Sequence, residues 1–125
     1  MSKKNTRILL VDDEEIVRES LSGWLEKDGY TIGTAPDGLQ GVKAVEEGRW
    51  SILLVDLKMP GIDGLSVIRE AKRLKADLPV IIITGYSTET AAIEAVNLGV
   101  SGYLTKPFRV PQVLAAAAKA IGEPA

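Results

Sequence analysis

Two adjacent carboxylates, Asp12 and Asp13, follow the apolar run Ile8-Leu9-Leu10-Val11, and a third, Asp56, follows Ile52-Leu53-Leu54-Val55. A buried strand that ends in carboxylate puts negative charge at the rim of a sheet, where open α/β folds keep their ligand crevices. Neighbouring carboxylates resist joint ionisation unless a cation or hydrogen-bond donors compensate them. The trio therefore calls for a hard, oxygen-preferring ion such as Mg²⁺. Two further apolar segments end in groups of other kinds: Val80-Ile81-Ile82-Ile83 runs into Thr84-Gly85, and Gly102-Tyr103-Leu104-Thr105 runs into Lys106-Pro107. Three acids, a hydroxyl and an ammonium at the ends of parallel strands would converge on one crevice. Such a set suits transfer of a phosphoryl group to a carboxylate.

The elements that must position these groups read as five strand-helix units. After the first strand, Val17, Leu21, Trp24, Leu25 and Asp28 mark a helical face that Gly29 ends, with Glu14 and Glu15 favourable at the helix N-terminus. Thr31 to Ala35 is a weak second strand, and Pro36-Asp37-Gly38 opens a helix carrying Leu39, Val42 and Val45 that stops near Gly48. The third strand, Ile52 to Val55, leads through a loop with Pro60 and two glycines to a helix marked by Leu65, Val67, Ile68, Ala71, Lys72 and Leu74. Pro79 introduces the fourth strand, and Ala92, Ile93 and Val96 define a fourth helix that Gly99 stops. Val110, Val113, Leu114, Ala117 and Ile121 define the last helix, with Pro111 in its first turn. Strand then helix, five times over, predicts an α/β fold with a parallel sheet and right-handed crossovers.

Taken singly, each site residue has a plainer reading. Asp12 or Asp13 would cap the first helix, Asp56 would form a turn before Pro60-Gly61, Thr84 would be a strand residue, Tyr103 a half-buried sheet residue, and Lys106 a solvated charge. Their shared position at strand ends favours the joint reading.

Composition bounds the class. A chain of 125 residues suits one domain, residues 1–125, large enough to bury a core under helices on both sheet faces. With 46% hydrophobic and 26% charged residues and a net charge of −2, neither nucleic-acid nor membrane affinity is expected. Cysteine is absent, so no disulfide or thiol chemistry is available, which suits the cytoplasm. The four-residue apolar run before Asp12 is too short for a signal peptide or membrane span.

Asp12-Asp13, Asp56, Thr84 and Lys106-Pro107, in that order, with Met59-Pro60-Gly61 and Asp63-Gly64 after the central acid, resemble the receiver domain of two-component response regulators. The resemblance runs from about Arg7 to Ile121. It implies a doubly wound, five-stranded flavodoxin-like sheet of order 2-1-3-4-5. It also implies that Asp56 is the phosphoacceptor, taking a phosphoryl group from a phosphohistidine on a sensor histidine kinase or phosphotransfer protein. The chain has no histidine, so the donor must be external. By the same resemblance Asp13 and Asp56 ligate Mg²⁺ (or Mn²⁺) directly, Asp12 ligates it through water, and the backbone carbonyl of Lys58 completes the shell. Lys106 would pair with a phosphoryl oxygen, Thr84 would close on another, Gly85 would leave room for the group, and Lys106-Pro107 would be a cis peptide. Thr84 and Tyr103 would form the switch that alters the face made by the fourth helix, last strand and last helix.

A downstream effector or output domain would bind that face, which is also a candidate for phosphorylation-dependent self-association. Lys58 and Tyr86, two positions after Asp56 and Thr84, are expected to impede attacking water and lengthen the phosphorylated state. The domain would not be an enzyme acting on other molecules, although it would catalyse its own phosphorylation and dephosphorylation. Other classes fit less well. An aspartate-nucleophile phosphatase would carry an acid two positions after its nucleophile as Asp-x-Asp, where Glu14 stands two after Asp12. A flavin module would need a hydroxyl- and glycine-rich phosphate loop where Asp13-Glu14-Glu15 stands. An unphosphorylated docking module is the remaining alternative.

Overall fold

The computed structural model describes residues 5–85 and 88–122. In chain order the elements are β1 (Arg7–Val11), α1 (Glu15–Lys27), β2 (Thr31–Ala35), α2 (Gly38–Glu47), β3 (Ile52–Val55), α3 (Gly64–Leu74), β4 (Val80–Thr84), α4 (Glu89–Asn97), β5 (Gly102–Thr105) and α5 (Val110–Ala120). Every strand pairing among the described residues is parallel, in the order β2-β1-β3-β4-β5. This is the expected doubly wound sheet.

The apolar runs explain why it forms. A parallel sheet needs a helical crossover between strands, and right-handed crossovers running in both directions from β1 clothe both faces. Strands covered on both faces read as near-continuous apolar runs, and β3 and β4 are buried from end to end, with Thr84 the polar last residue of β4. Alternate residues then serve two cores. Leu9, Val11, Leu53, Val55 and Ile82 pack with Val45, Val67, Ile68 and Ala71. Ile8, Leu10, Ile52, Leu54, Ile81 and Ile83 pack with Leu21, Leu25, Val113 and Ala117. So α2, α3 and α4 lie on one face, and α1 and α5 on the other.

Expected side-chain faces differ in three helices. Trp24 is 49% exposed and carries Lys27 Nζ 5.1 Å from its ring centroid, while Leu21 and Leu25 are the buried residues of α1. Leu39 is exposed, because α2 approaches the sheet through Gly38, Gly41 and Val45. In α4, Ile93 and Val96 are 54% and 76% exposed, and Ala91 and Ala95 face the core instead. Two apolar stripes run along α4, and the smaller one allows the closer approach. The N-cap of α1 is Glu14 rather than Asp12 or Asp13. No helix among the described residues is long and apolar enough to cross a membrane.

Candidate functional site

Strand order reverses between β1 and β3, which opens a crevice at their carboxyl ends. The ladders run one residue past the strands there. Asp12 N–H donates to the Ala35 carbonyl at 3.2 Å and Asp56 N–H to the Val11 carbonyl at 3.0 Å, so both acids sit on a fixed backbone. Arg18 of α1 adds a bond of 2.7 Å to the Asp12 carbonyl. Beyond Asp56 the chain must turn tightly into α3. Gly64 N–H donates to the Leu57 carbonyl at 2.8 Å, and any side chain at Gly64 would collide with the Asp56 carbonyl. Asp63 then caps α3 by accepting from Ser66 N–H at 2.9 Å.

The acids converge as expected. Carboxylate oxygens of Asp12, Asp13 and Asp56 all lie within 4.8 Å of one another, with Asp12 and Asp56 buried and Asp13 exposed. Lys106 reaches them from β5. Its backbone N–H is held by the Thr84 carbonyl at 2.8 Å, and its peptide bond to Pro107 is cis. Its Nζ donates to Asp12 Oδ2 at 3.0 Å and to Asp56 Oδ2 at 3.1 Å. A third carboxylate, Glu14, accepts from the same ammonium at 2.8 Å.

Electrostatics follow from this arrangement. Burial raises the Asp12 carboxyl above the ordinary carboxylate range, and the Glu14 N–H and Lys106 oppose that shift without cancelling it. Burial alone would lower Lys106, but its bonds to Glu14, Asp12 and Asp56 outweigh burial and hold the ammonium above the ordinary lysine range. Three carboxylates of hard oxygen, close together and short of positive charge, form a donor set suited to Mg²⁺.

A cavity of about 540 Å³ opens over these groups, lined by Asp13, Glu14, Asp56, Lys58, Gly85 and Lys106 among others. Lys58 is exposed, and its backbone N–H donates to Asp56 Oδ1 at 3.3 Å. A methyl on Gly85 would meet the Lys106 side chain at 3.9 Å, an ordinary contact, so packing does not demand glycine there. The open volume beside Lys106 is what glycine supplies. Thr84 stands apart from the cavity wall, fully buried at the end of β4 and in register with Thr105. Tyr103 is half-buried, pairs with Ile82, and packs against the core on the sheet face covered by α2, α3 and α4. Because Ile82 and Thr84 are two apart, Thr84 and Tyr103 share one sheet face as diagonal neighbours. Tyr86 lies outside the described residues.

Glu14 is the site residue that sequence reasoning missed. An acid at a helix N-terminus is accounted for by the helix dipole, and that sufficient explanation concealed the second one. The available signal was its adjacency to Asp12-Asp13.

Comparison with known proteins agrees with the geometry. The sequence model of the response regulator receiver domain family matches residues 8–118. The response regulator MprA of Mycobacterium ulcerans is 36% identical over 111 residues, 89% of this chain and 48% of that protein. The chain spans about half the length of the curated relatives it matches. Among solved structures, a CheY-like receiver domain protein from Methanospirillum hungatei superposes with a TM-score of 0.91 at 27% identity, covering 93% of each chain. TrrA from Thermotoga maritima, determined in complex with Mg²⁺-BeF, superposes with a TM-score of 0.84 at 33% identity, covering 92% of this chain and 98% of that one.

Proposed function

The chain belongs to the response regulator receiver domain family of two-component signalling, and on that premise we propose that Asp56 is its phosphoacceptor. The observation that supports this most directly is Lys106, whose ammonium bridges Asp56 and Asp12 at the floor of an open, acid-lined crevice. One Asp56 carboxylate oxygen would attack phosphorus as the P–N bond of a donor phosphohistidine breaks. The imidazole nitrogen leaves with the electron pair, and an acyl phosphate remains on Asp56.

Each further role rests on placement. Asp12, Asp13 and Asp56 would hold Mg²⁺, with the Lys58 carbonyl as an added ligand, and Mn²⁺ offers the same oxygen preference. The bound cation supplies charge to offset carboxylate repulsion and the negative charge of the phosphoryl group. Lys106 would donate to a phosphoryl oxygen. Thr84 would approach another, drawing on the end of β4 where its backbone already holds Lys106. Tyr103, diagonal to Thr84, would repack as Thr84 moves and carry the change to the α4-β5-α5 face. Lys58 would screen the acyl phosphate from water.

As a receiver, the domain is a signalling element that works with histidine kinases and output functions. We propose a cytoplasmic setting, a sensor histidine kinase or phosphotransfer protein as donor, and a partner protein or output domain as reader. Residues 1–125 would act as one receiver without touching nucleic acid directly, and paired phosphorylated domains would associate through the α4-β5-α5 face.

The test is intact mass after incubation with acetyl phosphate, with and without Mg²⁺, for the wild type and Asp56→Asn. A single added phosphoryl group that requires both Mg²⁺ and Asp56 is expected. No uptake by the folded protein would leave a docking module as the function.

A further inference from the structure

Lys106 has three N–H donors, and all three are engaged by carboxylates. Two of these acceptors, Asp12 and Asp56, belong to the acidic trio. The third, Glu14, lies outside the trio yet makes the shortest of the three bonds, at 2.8 Å. Its backbone is pinned by Asp12, whose Oδ1 accepts the Glu14 N–H at 2.9 Å. Unlike Asp37, Asp63 and Thr88, which cap their helices with a side-chain oxygen, Glu14 is the N-cap of α1 and makes no side-chain cap bond. Its carboxylate is turned into the crevice instead.

The consequence concerns an incoming anion. The Glu14 side chain is 54% exposed and that of Lys106 only 18%, so Glu14 covers the solvent side of the ammonium. Asp12 and Asp56 approach the same ammonium from the buried side. A phosphoryl oxygen that enters through the cavity therefore meets a carboxylate where it needs a donor. The exchange is one acceptor for another on a single ammonium, so no net bond is gained until Glu14 withdraws.

We propose that Glu14 is a gate on Lys106, a positioning residue that occupies the ammonium donor required by the phosphoryl group and so slows phosphorylation by small donors. This rests on the reading of Asp56 as phosphoacceptor. Glu14 has room to leave: it lies at the mouth of the cavity, and its release sacrifices no cap bond of α1.

The test measures the rate of phosphoryl uptake from acetyl phosphate at saturating Mg²⁺ in four proteins: wild type, Glu14→Gln, Glu14→Asp and Glu15→Gln. Glu14→Gln removes the charge and weakens the bond. Glu14→Asp keeps the charge but shortens the reach by one methylene, and Glu15→Gln removes the same charge one residue away. An exposed ion pair is worth little, so both Glu14 variants should gain roughly two- to fivefold while Glu15→Gln stays near wild type.

A second readout needs neither donor nor metal. The Lys106 NH₃⁺ proton resonances of the wild type should exchange with water more slowly than those of Glu14→Gln. Rates in Glu14→Gln that are unchanged, lowered, or matched by Glu15→Gln would overturn the gate, as would identical Lys106 exchange. Absence of uptake in the wild type itself would instead sink the phosphoacceptor reading. The two failures are therefore distinct.

Discussion

On the same face of the sheet, α3 and α4 are held in different ways. α3 buries Val67, Ile68 and Ala71 completely against Leu53 and Val55, and its first residue, Gly64, sits on the Asp56 backbone. α4 meets the core through Ala91 and Ala95, leaves Ile93 and Val96 in solvent, and is tied to α3 by the exposed Arg69–Glu94 pair at 2.7 Å. The strands repeat the contrast, since β3 is buried throughout and β5 is only partly covered. Apolar area removed from water sets how firmly an element is held, and exposed ion pairs add little. The acidic residues thus stand on the firmly held half, while Thr84 and Lys106 mark the border with the lightly held half. A group bound at the border has one region free to respond.

The largest expected difference is in stability. Ile68→Ala, which empties a fully buried site on α3, should cost about 2–5 kcal/mol in urea unfolding. Ala95→Gly on α4 removes one methyl and loosens a helix, and should cost about 1–2 kcal/mol. Equal costs would dissolve the contrast between the two helices.

An intermediate effect concerns the floor of the site. Burial raises the Asp12 pKa, so the folded state keeps this proton to higher pH than the unfolded chain. The folded state is therefore favoured by this group at acidic pH and loses that advantage as pH rises through the raised value. Once ionised, Asp12 is an unfavourable buried charge that Lys106 only partly offsets. Asp12→Asn should thus raise the urea midpoint of the metal-free protein at pH above the raised Asp12 value, with a gain that shrinks as pH falls through it. Added Mg²⁺ should stabilise the wild type more than this variant. A midpoint lowered by Asp12→Asn across the whole pH range would show that Lys106 compensates Asp12 fully.

The strand ends were readable because burial on both faces forces an unbroken apolar run, and the first polar residue after such a run must lie at the rim. Asp12, Asp56 and Thr84 obey that rule, whereas Lys106 follows the partly covered β5, where Thr105 is already polar. Helix faces were less readable. Periodicity shows that α4 has an apolar stripe but not which of two stripes turns inward, and the larger residues Ile93 and Val96 drew the inference outward from the true contact at Ala91 and Ala95. Glu14 was hidden for another reason: its partner Lys106 lies 92 residues away, and no local pattern records such a contact.

The smallest expected effect is at Tyr103, which packs on the lightly held side. Tyr103→Ala should leave phosphoryl uptake at Asp56 within about twofold, a difference of roughly 0.4 kcal/mol. It should weaken the coupling of uptake to partner binding or self-association, whichever the domain uses. Coupling that survives intact would remove Tyr103 from the route between the site and the α4-β5-α5 face.

The most direct test is amide hydrogen exchange with and without Mg²⁺ and beryllofluoride, a stand-in for the phosphoryl group. Protection should change in α4, β5 and the start of α5, and stay constant in β1, β3 and the body of α3. A change spread evenly over the sheet, or confined to β1 and β3, would contradict a site built at the border between a fixed half and a responsive one.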